Sequence, residues 1–132
     1  MYNMKTSTDL SLLHDKGILL SSGEICRNKI NLISGAMTAP LVEAIWTFTE
    51  NDAEAIERIL ATLNHLYHND HEVEMIAVLR ILYDVSGLQF PEDVQLLAEH
   101  PEARQYFLFS FLLDMEDCVQ EFVTGSAGES ST

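Results

Sequence analysis

The segment NDAEAIERILATLNHLYHND, residues 51–70, repeats its large apolar side chains at Ile56, Ile59, Leu60, Leu63, Leu66 and Tyr67. Spacings of three and four put all six on one face of an α-helix, because a 3.6-residue turn returns to the same side at those intervals. Asn51 followed three residues later by Glu54 has the form of a capping box at the start of that helix. Asn69 and Asp70 read as its end and as the cap of the next.

The same punctuation recurs on either side. A short helix fits residues 8–16, with Leu10 and Leu13 inward, Leu12 a further candidate for that side, and Gly17 as its stop. Ser21 with Glu24 repeats the capping-box form, and Cys26, Ile30, Ile33 and Met37 then share one face of a second helix ending near residues 35–37. Thr38 and Pro40 are expected to open a third helix through Phe48, since proline is tolerated best in a first turn. After the fourth helix, residues 72–85 are apolar on most sides and read as the buried centre of the molecule, ending at Gly87. Pro91 and Pro101 start a sixth helix over 91–99 and a long seventh from 101 to about Val123. Residues 124–132, TGSAGESST, offer nothing to bury and are expected to be a disordered tail. The fold predicted is therefore all-α, a compact single-domain bundle of six to seven helices over residues 1–123 with short connections and antiparallel neighbours.

Length and composition bound the function. A chain of 132 residues that is 47% hydrophobic can bury one real core. Cys26 and Cys118 lie far apart in apolar periodic segments, as buried free thiols do, which favours a reducing compartment. No basic-then-apolar leader opens the sequence, and the longest apolar run, YFLFSFLL at 106–113, stops at Asp114, short of the roughly 18 residues a membrane span needs. A soluble cytoplasmic protein without membrane contact is expected.

Charge is uneven as well as large. The net charge is −14; residues 1–29 hold four bases and three acids, while residues 30–132 hold three bases and 18 acids. Such a surface repels nucleic-acid backbones and anionic lipid and speeds encounter with basic proteins. Direct nucleic-acid binding lacks its electrostatic footprint with seven bases in all.

Catalytic and metal signatures are weak. His65, His68 and His71 recur every third residue beside Asp70, Glu72 and Glu74, which makes them candidates for a nitrogen-and-oxygen metal shell. The stretch HEVEM at 71–75 has Met75 where the zinc-protease motif needs a second histidine, and no histidine has an acid three residues before it as a di-iron helix requires. Convergence would also have to cross a chain reversal, so solvated polar residues at a turn are the favoured reading and no metal or other cofactor is expected. No Gly-x-Ser-x-Gly elbow, phosphate loop or dinucleotide fingerprint occurs. The chain is expected not to be an enzyme.

The acids themselves are patterned. Glu50, Glu54 and Glu57 fall at i, i+4 and i+7, and Asp114, Asp117 and Glu121 at i, i+3 and i+7, so each trio is expected to form a carboxylate stripe with members about 5 to 6 Å apart along a helix. That density is comparable with duplex phosphate, one charge per about 3.4 Å per strand. In charge alone the stripes resemble those of phage and plasmid inhibitors that imitate DNA, which implies occupation of a basic nucleic-acid channel in a defence complex. Small acidic helical proteins also resemble secretion chaperones and toxin-immunity proteins that hold one cognate polypeptide. Trp46, Phe48, Phe90 and Phe109 are the candidates for the apolar patch such a protein would use. The expectation is a non-enzymatic inhibitor of a basic partner protein or complex, with the chaperone or immunity role as alternative. The apolar helix over 72–85 leaves open a homodimer formed across a two-fold axis.

Overall fold

The protein is all-α. In a computed structural model describing residues 11–131, residues 11–15 are helical (α1) and are followed by α2 (Arg27–Phe48), α3 (Ala53–His68), α4 (Glu72–Val85), α5 (Glu92–Ala98) and α6 (Pro101–Ser131). The only β pairing among the described residues is an isolated antiparallel bridge between Leu19 and Ile25. Residues 8–10, the start of the expected first helix, lie outside the described residues.

α3 follows its apolar periodicity. Ile56 and Leu63 are buried, and Ile59, Leu60, Leu66 and Tyr67 pack half-buried against the core. Its cap is Asp52 and not Asn51: the extended Asp52 accepts a hydrogen bond from Glu54 N at 3.1 Å, whereas Asn51 sits in the preceding turn at φ 64°. A short carboxylate there satisfies one of the N–H groups a first turn leaves unpaired.

The break expected between residues 35 and 40 is absent, and two expected helices are one. α2 runs unbroken through Pro40. Proline lacks the N–H that would meet the Ala36 carbonyl, but Ala36 and Pro40 are both exposed, so the freed carbonyl lies on the side open to water. The opposite side carries the continuous buried stripe Ile30, Ser34, Met37, Thr38, Leu41, Val42 and Ile45, and burying it whole favours one helix over two. The Ser21–Glu24 pattern likewise caps nothing. Residues 18–26 form a tight turn closed by Cys26 N to Ile18 O (2.6 Å) and Leu20 N to Glu24 O (2.8 Å), with Gly23 at φ 93°, and α2 starts only after Cys26. Burial of Ile18 and Leu19 anchors that turn in the core.

α6 is the spine of the bundle. Ala103, Phe107, Leu108, Phe111, Leu112, Met115 and Val119 are all buried along it, and it packs most extensively against α2, then against α3 and α5. Paired residues rise together along α2 and α6: Arg27 lies over the Tyr106 ring at 4.8 Å, Ser110 Oγ donates to Asn31 Oδ1 at 2.8 Å, Ser34 Oγ donates to Asp114, and Trp46 meets Phe122 at 5.6 Å. The main interface is therefore between parallel helices, which short connections cannot bring together and the intervening α3, α4 and α5 do. α6 continues to Ser131, beyond Val123 where its apolar pattern stops.

The segment expected at the centre of the bundle lies at its edge. α4 buries Met75, Leu79 and Tyr83 and packs mainly against α3, while Val73 (65% exposed), Ala77, Ile81 (61%) and Val85 (58%) face outward. Its N-terminus is tied to α6 by Glu72 Oε1 and Arg104 Nε at 3.6 Å, and its C-terminal half to α2 by the Tyr83 hydroxyl, which donates to the Met37 carbonyl. The longer α6 took the centre because seven of its residues find cover from several helices at once.

Candidate functional site

The outward side of α6 carries acids beside exposed apolar side chains. At 100° per residue, Asp117 and Glu121 project from the side opposite the buried Met115 and Val119, and both are exposed. Phe109 (46% exposed) and Leu113 (47%), four residues apart, lie along the neighbouring strip with Glu116. Asp114 differs from its two companions: it is half-buried and accepts the hydroxyl proton of the fully buried Ser34, so one of its oxygens is committed to the α2–α6 interface.

Cys118 reports on the potential of this surface. Its thiol is pushed above the ordinary value, first by burial and then by the carboxylates of Glu121, Asp114 and Asp117. All three acids of the C-terminal trio thus act on one atom between them. Cys26, the residue before α2, is also a free thiol.

The other trio is not a helical stripe. Glu54 and Glu57 are exposed on α3, but Glu50 lies in the turn before it at φ 56°. With Asp52 as cap, the helix begins three residues after Glu50, so no common axis aligns the three. Glu54 is further engaged by Arg58 at 3.7 Å.

The four aromatic candidates are distributed and form no single patch. Trp46 is half-buried against Phe122, and Phe48 stands 76% exposed at the end of α2. Phe90 packs edge-on against Tyr83 at 5.8 Å, with the Arg80 guanidinium over its ring at 5.1 Å. Phe109 opens onto a groove of about 230 Å³ with Tyr67, Tyr106, Ile25 and Arg27, where the end of α3 meets the start of α6. That groove was not legible in the sequence, because Ile25, Tyr67 and Phe109 come from three separate segments.

The three histidines each hold a different local partner. Asn69, the residue after α3, donates from Nδ2 to the His65 carbonyl at 2.8 Å and lies 3.2 Å from His65 Nδ1. His68 meets the Tyr67 ring edge-on at 5.2 Å, and His71 Nδ1 is 3.6 Å from Glu74 Oε2. His71, not Asp70, precedes α4, because Asp70 takes the left-handed conformation at φ 62° that reverses the chain. Among the described residues no group of three or more His, Cys, Asp or Glu is placed to hold a metal ion.

No helix among the described residues is long and apolar enough to cross a membrane. The sequence matches no protein-family model, and comparison with curated proteins and with solved structures finds no match. The class defined is an all-α bundle with an acidic outer face on its longest helix.

Proposed function

We propose that this is a non-enzymatic, cytoplasmic interaction protein that binds a basic partner through the acidic face of α6 and inhibits it by steric and electrostatic occupation. The observation that carries the reading is the exposed pair Asp117 and Glu121 beside Phe109 and Leu113, on a chain of net charge −14. Acids steer a basic surface into encounter, and adjacent apolar side chains add the desolvated contact that holds it. An antagonist of a nucleic-acid-handling complex, of phage or plasmid type, is the narrower form: carboxylates one helical turn apart stand in for backbone phosphate at a basic channel.

The partner is to be captured from the native host on the immobilised full chain and identified by mass spectrometry, and its association then measured against salt. Association should slow steeply as salt rises, and Asp117→Lys with Glu121→Lys should abolish it in a protein that keeps its helical circular dichroism. Binding indifferent to both salt and charge reversal would sink the reading. Asp114 is left intact because it also holds Ser34.

The Phe109 groove favours the alternative, a chaperone or immunity protein that holds one cognate polypeptide. Tyr, Phe and Arg are the residues that concentrate binding energy, and Tyr67, Tyr106, Phe109 and Arg27 converge there. That role gives weak salt dependence and binding that survives Asp117→Lys with Glu121→Lys.

A further inference from the structure

α4 is apolar on two opposite sides, and the bundle covers one. Met75, Leu79 and Tyr83 point into the core at i, i+4 and i+8. Val73, Ala77, Ile81 and Val85 repeat the same spacing on the far side, each exposed. A surface helix ordinarily places polar residues on its outer face, and a helix apolar all round is a helix buried all round. The stripe is a continuous ridge with a notch at its small member, Ala77, between Val73 and Ile81.

The charges beside the stripe indicate its occupant. Glu74 and Asp84, both exposed, border it near its two ends. The nearby cation is already partnered: Arg80 lines a shallow pocket with Ile81 and Asp84, but its guanidinium donates to Gln95 Oε1 at 2.6 Å and lies over Phe90. The acids at the rim are Asp84 and Glu74, the latter 3.6 Å from His71 Nδ1. A second copy of this chain would bring the same two acids and another net charge of −14 to the contact. A basic segment would find both its charge and its apolar side matched.

We infer that the outward face of α4 seats an amphipathic helical segment of the partner, with an aliphatic ridge that packs on Val73, Ala77, Ile81 and Val85 and lysine or arginine flanks that meet Glu74 and Asp84. The mode is helix against helix, with ridge residues at i, i+3, i+4 and i+7 and one of them entering the Ala77 notch. The inference rests on the reading of the protein as a binder of basic partners and names the element of the partner that docks.

The test uses a fluorescein-labelled helical peptide with leucines at i, i+3, i+4 and i+7 and lysines between them, titrated with the full chain by anisotropy beside a scrambled peptide of equal composition. The ridge peptide should bind saturably and more tightly than the scramble. Ile81→Arg should weaken it about tenfold, as expected for removing one buried aliphatic anchor. Val73→Arg should do the same, and Glu74→Lys with Asp84→Lys should also weaken it. All four positions are exposed, and helical circular dichroism confirms that the variants fold. Equal binding of ridge and scrambled peptides, or no effect of both arginine variants, would overturn the inference. So would sedimentation showing a dimer that Ile81→Arg dissociates, which assigns the stripe to a second copy. Reversal of Asp117 and Glu121 separates the two readings: peptide binding lost there but unchanged by Ile81→Arg and Val73→Arg rejects the α4 seat and keeps the acidic reading. Binding that needs Ile81 but is indifferent to salt and to every charge reversal rejects both the basic flanks and that reading.

Discussion

Asp114 and Asp117 are three residues apart in sequence and do different work. Asp114 accepts from buried Ser34, so Asp114→Ala should lower stability by about 1.5–3 kcal/mol, the range for a hydrogen bond to a charged group, while the exposed Asp117→Ala should change it by less than about 0.5 kcal/mol; urea unfolding of both variants checks this. Cys118 gives a second readout. With its thiol raised by burial and then by Glu121, Asp114 and Asp117, little thiolate is present near neutral pH. Asp117→Asn with Glu121→Gln should speed its reaction with an aromatic disulfide reagent several-fold, and added salt should do so in the parent protein. Tyr83 links stability to alkali. Burial holds its phenol above the ordinary value of 10.0, so as pH climbs past that value the unfolded chain releases a proton the native chain retains, and stability falls. Tyr83→Phe should cost about 0.5–1.5 kcal/mol at neutral pH for the lost bond to Met37 and should flatten the decline between about pH 9.5 and 11 in urea titrations.

At the scale of the element, α2 carries two residues that its own helical geometry does not favour. Gly35 lies within it with open space around the position a Cβ would take and no left-handed backbone, so Gly35→Ala should raise stability by about 0.5–1 kcal/mol. Pro40→Ala should act in the same direction by restoring the N–H for Ala36, and thermal unfolding of each variant reads the effect. The expected break at 35–40 failed for a physical reason visible only in the packed chain: propensity at two positions is outweighed by seven buried side chains on the opposite face. α4 teaches the complementary lesson. Its composition indicates apolar contact on every side, and the bundle supplies it on one.

The molecule as a whole holds its core through a parallel α2–α6 pair whose residues are 76 to 80 positions apart in sequence, judged from Trp46 with Phe122 and Ser34 with Asp114. Around that core the net charge of −14 repels itself. Raising salt shortens the screening length from about 30 Å at 0.01 M to about 8 Å at 0.15 M, so the midpoint of thermal unfolding should rise over that interval, and a midpoint that falls would place the stabilising charges in attractive pairs. Attractive pairs do exist, as between Lys16 Nζ and Asp93 Oδ1 at 2.8 Å, but 21 acids outnumber seven bases.

Local order was readable from the residues alone. The period of Ile56, Ile59, Leu63 and Leu66, and the prolines at 91 and 101, mark α3, α5 and α6 because each signal acts within a turn or two of itself. The acids of residues 114–121 were equally plain, and so was the apolar character of α4. Which acid faces water and which binds Ser34, which side of α4 is covered, and whether Ile25, Tyr67 and Phe109 meet were decided only when the helices packed. Burial depends on neighbours that the chain supplies from far along its length, and no short-range pattern encodes where those neighbours stop.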